Sequence, residues 1–266
     1  MLKDITIGQY YPSDSPVHRL DPRTKLIITF LFIIIIFFVR YYTGYLYIVA
    51  FMALTLVFSK IPVKYILKGL RPLMFIILLT FFINVFFTPG ETILFSFWFL
   101  RITKEGLHQA AFMTLRLLFL VTGTSILTLT TSPIALTDGI EMLLKPLKAI
   151  RFPSHELAMM MTIALRFIPT LLEETDKIMK AQMARGADFE SGNLIQRAKS
   201  LIPLLVPLFV SAFRRADDLA MAMEARCYRG GDSRTRMKVF AMNYLDAVAF
   251  AVTALLIASV LLNAYL

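Results

Sequence analysis

The 266 residues are 58% hydrophobic and only 17% charged, with a formal net charge of +10. A soluble domain has about 45–50% apolar and roughly 25% charged residues, so this composition, with a mean hydropathy of +0.69, excludes an ordinary soluble globule and points to a bilayer. A single cysteine, Cys227, excludes an intrachain disulfide, and the basic surplus comes without any zinc-finger spacing, RNP-like motif or aromatic-basic patch, so no nucleic-acid partner is expected.

The first 25 residues are polar and punctuated by proline, which reads as a cytoplasmic N-terminal segment rather than a cleavable signal. A helix needs about 20 apolar residues to cross the hydrocarbon core. The region 26–130 supplies four runs that come close. "LIITFLFIIIIFFV" (26–39) is short, but Lys25 and Arg40 can snorkel at its ends. "YLYIVAFMALTLVF" (45–58) follows a "YYTG" turn, "LMFIILLTFFINVFF" (73–87) stops at Pro89-Gly90, and the fourth run covers 106–130. A fifth, "AVAFAVTALLIASVLLNAYL" (247–266), lies in the C-terminal segment 243–266. Lys3, Arg19, Arg23 and Lys25 precede the first span, and Lys60, Lys64, Lys68 and Arg71 fill the second loop without an acid. By the positive-inside rule the N-terminus is cytoplasmic, and five crossings put the C-terminus outside.

Between the fourth and fifth spans, 131–242 holds most of the charge, of both signs, and reads as cytoplasmic or interfacial helices. The first (about 134–149) is interrupted by Pro146; the second runs "SHELAMMMTIALRFIPTLLEETDKIMKAQMARG", with a kink expected at Pro169; the third covers about 194–227, with Pro203 and Pro207 in its apolar half. Both long helices begin apolar all round ("LAMMMTIAL", "LIPLLVPLFV") and become amphipathic. In the third, Ala212, Ala216 and Ala220 recur every fourth position, which allows another helix to approach closely.

No phosphate-binding G-x-x-x-x-G-K-[ST] loop occurs, three scattered histidines make no metal site, and no nucleophile-base arrangement is visible, so neither catalysis nor a cofactor is expected. Arg116 is the one strong charge inside a span; it must face protein or water, either bonded within the bundle to carbonyls or Asn84, or touching a partner subunit. The second and third helices end alike, in "AQMARGADF" (181–189) and "AMEARCYRG" (222–230). Arginine suits a helix C-terminus by its charge alone. The repetition adds a second reading: a guanidinium between small neighbours can enter a narrow groove and bond a carboxylate or helix-end carbonyls in bidentate fashion.

These two ends, with "GQYYPSDSPVHRLDPRTKL" (8–26) and with "ALRFIP" (164–169) like the start of the family's second coupling helix, resemble the transmembrane T component of energy-coupling factor transporters. The likeness covers nearly the whole chain. It implies an all-α, L-shaped integral membrane protein of the cell membrane, with about five transmembrane helices and long coupling helices at the cytoplasmic surface. It implies that Ala184, Arg185 and Gly186 dock in one ATP-binding-cassette subunit and Ala225, Arg226 and Cys227 in another, ATP being hydrolysed on those partners. Cys227 stands where the family commonly has glycine, so a less left-handed cap is expected there. A small substrate-binding membrane subunit, exchangeable in some systems, would lie on the apolar halves at Met159, Met160, Met161, Leu204 and Leu205, and vitamins or other micronutrients would be the cargo. Core packing is the competing reading of the methionines. The residues alone leave two other classes open, a lipid-modifying membrane transferase and a self-sufficient secondary carrier; the first needs a convergent acidic or histidine site, the second repeated membrane halves.

Overall fold

The computed structural model describes residues 10–97, 100–189, 193–230 and 240–265; Lys3, Gly8, Gln9 and Leu266, on which the sequence reading drew, lie outside them. In chain order the helices are α1 (Pro22–Phe38), α2 (Tyr42–Ser59), α3 (Val63–Leu70), α4 (Met74–Phe87), α5 (Lys104–Thr130), α6 (Pro133–Leu144), α7 (Ser154–Ala184), α8 (Leu194–Ser200), α9 (Ile202–Ala225) and α10 (Tyr244–Tyr265). The described residues divide into two compact units, 10–97 and 100–139 with 240–265, and 140–189 with 193–230.

In the first unit α1, α2, α5 and α10 share one core, built on Phe32, Ile36, Ile48, Phe119, Leu256 and Val260. Small residues allow close approach: a Cβ on Gly123 would fall 2.3 Å from the Phe32 ring. A second cluster packs Ile66 and Leu70 of α3 and Ile77 of α4 with Leu129 of α5. The outward surface is apolar, with Phe30, Phe75 and Leu255 64–74% exposed, the arrangement a bundle takes when hydrocarbon rather than water surrounds it. The four spans of 26–130 and the C-terminal one each coincide with a helix, and the fold is that of an all-α membrane protein.

The structure adds two elements to the loops. Residues 63–70 form α3, whose apolar side the second cluster buries. The loop between α4 and α5 carries an antiparallel hairpin, β1 (Ile93–Phe97) against β2 (Leu100–Thr103), with Ser96 opposite Arg101. Its sequence is rich in the β-branched and aromatic residues that strands favour.

In the second unit α7 and α9 pack on each other. α6 gives way at Lys145 to a 3-10 turn through Ile150, where Pro146 stops the α-helical ladder, and Arg151 takes a left-handed φ of 61°. α7 runs unbroken through Pro169. The helix expected over 194–227 is instead two, α8 and α9, parted at Leu201. Pro203 lacks an N–H and its ring opposes the carbonyl four residues back, which suits it to the first turn of α9, although Pro169 and Pro207 are accommodated inside α7 and α9. Among the described residues, six helices are able by length and composition to cross a membrane: α2, the run 63–87, α5, α7, the run 195–225 and α10; α1 has 17 residues.

Candidate functional site

The two matched sequences fold into the same backbone device. At the end of α7 the Gly186 N–H donates to Met183 O (2.9 Å) and the Ala187 N–H reaches back to Gln182 O (3.0 Å). At the end of α9 the Cys227 N–H donates to Glu224 O (2.9 Å) and the Tyr228 N–H to Met223 O (3.0 Å). This is the Schellman pattern at both ends, and it needs a left-handed residue just past the cap. Gly186 has φ +89° and Cys227 has φ +57°. The expectation of a less left-handed cap at Cys227 therefore fails: the paired bonds hold the cysteine in the left-handed region despite its Cβ.

The consequence is geometric. In each case arginine is the C-cap residue, Arg185 and Arg226, where the chain turns off the helix axis. Both are exposed, as are Ala184, Gly186, Ala225 and Cys227. A Cβ built on Gly186 meets nothing within 4 Å. Neither guanidinium has a hydrogen-bond or ion-pair partner among the described residues, so each is presented beside small neighbours with its five donors unspent.

Upstream, the helices are tied to one another. Arg215 Nη2 of α9 donates to Glu174 Oε2 of α7 at 2.7 Å, both groups partly exposed. Glu174 lies eleven residues before Arg185, and Arg215 eleven before Arg226. Eleven residues of helix span about 16 Å, so this tie is the same distance along each helix from its arginine. The start of α7 is held by His155 Nδ1, 3.0 Å from Glu141 Oε1.

Of the residues expected to meet a substrate-binding subunit, Met160 (55%) and Leu205 (47%) are exposed, Met159 and Met161 are partly buried, and Leu204 is 5% exposed, turned into the chain. Val206, Phe209, Val210 and Phe213 of α9 are also exposed.

The profile of the CbiQ family, described as cobalt transport protein, matches residues 13–238. The energy-coupling factor transporter transmembrane protein EcfT of Thermosediminibacter oceani is 62% identical over 96% of this chain and 96% of its own length. That of Clostridium kluyveri is 62% identical over 94% and 93%, and that of Bacillus subtilis 51% identical over 90% of each. The chain belongs to the EcfT family. It is a multi-pass membrane protein, the transmembrane component of an energy-coupling factor transporter.

Two further polar groups of this EcfT-family chain are buried or partly buried. Arg116 of α5 is half-buried; its Nη2 donates to Val39 O (3.5 Å), and its guanidinium sits 5.4 Å from the Phe37 ring centre and 5.3 Å from that of Phe112. Asn84, the other partner weighed from sequence, instead donates to Thr80 O within α4.

The "LDPRTKL" stretch has a structural task that sequence reasoning did not find. Asp21 caps α1: its Oδ1 accepts from the Arg23 N–H (2.9 Å) and its Oδ2 from Arg23 Nη2 (2.8 Å). Its own N–H donates to Asp246 Oδ1 (2.9 Å), while Asp246 Oδ2 accepts from the Asn243 N–H (2.7 Å) and so caps α10. Burial opposes the Asp21 charge, yet the hydrogen bonds and charge of Arg23 hold its carboxyl below the ordinary range. Lys25 donates to Thr130 O at the end of α5 (2.9 Å) and to His18 O (3.1 Å). His18 Nε2 bonds Tyr11 O (3.0 Å), which makes that nitrogen the donor and leaves Nδ1 to accept from the Ser15 hydroxyl (2.6 Å). One sequence motif thus joins the starts of α1 and α10 to the end of α5.

Proposed function

We propose that this chain is the mechanical coupling subunit of a multi-subunit importer for vitamins or other micronutrients. The arginine ends of α7 and α9 plug into two ATP-binding-cassette subunits, which hydrolyse the ATP. The apolar first halves of the same helices, through Met160, Leu205 and Phe209, carry a substrate-binding membrane subunit. The N-terminus and both arginine ends are cytoplasmic, and the C-terminus is outside. One observation carries this reading: two helices end in one capping motif, each presenting an exposed, unpartnered arginine beside small residues. Such an end offers a charge-assisted, bidentate contact without a bulky neighbour to exclude it.

Mechanism follows from the connections. ATP-driven closure of the two ATPases displaces the docked ends. Because Arg215 and Glu174 join the helices, movement of one end is shared with the other, and the apolar halves transmit it to the substrate-binding subunit. The exposed apolar face of α9 supports this, since such a surface needs protein or lipid to cover it.

The test is co-purification of the tagged chain from membranes, as wild type and as the Arg185→Glu/Arg226→Glu double variant. Two ATPase subunits are expected with the wild type and none with a variant that still inserts. A variant that keeps both ATPases reduces the matched ends to caps and overturns the docking role.

A further inference from the structure

Where α1 and α10 begin and α2 and α5 end, the first unit encloses a cavity of about 320 Å³. Its wall includes Phe32 of α1, Phe51 and Phe58 of α2, Leu127 of α5, and Val248 and Val252 of α10. Three of its four threonines spend their hydroxyl hydrogens on their own helices: Thr55 on Phe51 O, Thr130 on Ile126 O and Thr253 on Ala249 O, each at 2.8 Å. They therefore turn little polarity toward the space. Buried water needs two to four polar partners, which such a wall does not supply.

The mouth faces outward. Leu54, Phe58 and Val248 line the cavity and are 44–55% exposed, so in a bilayer the opening between α2 and α10 meets hydrocarbon. The polar end is Lys25, only 7% exposed. Its ammonium has three hydrogens; His18 O and Thr130 O take two, and the third has no partner among the described residues. On the same side, two residues beyond Phe58 at the C-cap of α2, the exposed Lys60 begins a stretch with Lys64, Lys68 and Arg71 and no acid up to residue 71.

We propose that this cavity holds one acyl chain of an anionic phospholipid from the leaflet that the basic 60–71 stretch faces, with the lipid's ester and phosphate oxygens at Lys25 and Lys60. The apolar wall selects a hydrocarbon tail rather than water or a polar metabolite. The cations select an anionic headgroup, as basic sites at a membrane surface do. Bound there, the lipid fills the gap between α2 and α10 beside the network that joins the starts of α1 and α10 to the end of α5.

The full chain in nanodiscs of mixed phosphatidylglycerol and phosphatidylcholine is to be photolabelled with phosphatidylglycerol carrying a diazirine midway along one acyl chain. Adducts are expected in peptides 51–58, 123–130 and 245–253. Unlabelled phosphatidylglycerol should compete better than phosphatidylcholine. Ala249→Phe, which fills the cavity, should abolish these adducts, and Leu255→Phe on the outer surface should not. Lys25→Met should raise the competing phosphatidylglycerol concentration about fivefold, the worth of one lysine near a membrane surface. Adducts spread over Phe30, Phe75 and Leu255, equal competition by both lipids, or unchanged labelling of Ala249→Phe would each overturn the proposal. The wild-type map and the competition decide it even where Ala249→Phe fails to insert.

Discussion

Exchanging the two cap residues separates backbone strain from everything else at the arginine ends. A left-handed φ costs an ordinary L-residue about 1–2 kcal/mol, a cost that Cys227 at +57° carries and Gly186 at +89° does not. A glycine gives back about 0.4–1 kcal/mol through its freer unfolded chain. Cys227→Gly should therefore stabilise the α9 end by about 0.5–1 kcal/mol, and Gly186→Cys should weaken the α7 end by about as much. No neighbour lies within 4 Å of a Cβ at Gly186, so steric contact does not enter. Helix-end opening is read by hydrogen exchange at the Tyr228 and Ala187 amides, which donate the longer-range bonds of the two caps. The expected change is about two- to fivefold, slower at Tyr228 in Cys227→Gly and faster at Ala187 in Gly186→Cys. Unchanged exchange at both amides, or a shift of the same sign, would refute the reasoning that left-handed strain sets the order of these ends.

Two further outcomes follow from the polar contacts. Burial holds the His18 imidazole below its ordinary 6.5, outweighing its bond to Tyr11; the unfolded chain then takes up the proton first, so stability is lost as pH falls through 6.5 and below. Protection of amides in 11–19, taken relative to the intrinsic exchange rate at each pH, should fall over that range in the wild type and stay flat in His18→Gln. For the tie between α7 and α9, Glu174→Gln should cost the fold no more than about 1 kcal/mol, since the pair is partly exposed. On the proposed coupling it should raise the ATP hydrolysed per substrate moved in the reconstituted complex, and the exchanged pair Glu174→Arg/Arg215→Glu should restore the ratio; an unchanged ratio in Glu174→Gln would dismiss the tie as incidental.

What was legible in the sequence was local. Apolar runs of 14–25 residues need no partner to be recognised, and each of the five coincides with a helix. The helix ends at Ala184 and Ala225 were readable because Ala-Arg-small carries its own capping chemistry. The conformation of Cys227 was misjudged because residue preference was weighed without the two hydrogen bonds that impose it. Pro203 was placed inside a helix, whereas its missing N–H makes it a start. Long-range matters were out of reach: Asp21 meets Asp246 across 225 residues, and no periodicity announces that. Nor did the pattern tell Leu204, buried, from its exposed neighbour Leu205, because the sequence does not say which side of α9 packs on α7.

On the proposed coupling, the placing of Glu174 and Arg215 bears on how a pair of ATPases acts through one chain. Each lies eleven residues ahead of its arginine, so the arms beyond the tie match in length, about 16 Å each. Equal arms turn a symmetric closure of two docked subunits into equal displacements, with no net bias from the arms themselves. Any directed push on a third subunit must then arise on the other side of the tie, where the helices differ. There α7 begins at the His155–Glu141 contact and runs intact through Pro169, whereas α9 is cut short at Leu201 and presents Leu205, Val206 and Phe209. On the proposed coupling, asymmetry of transport is built into the apolar halves, and the arginine ends are alike because their task is the same.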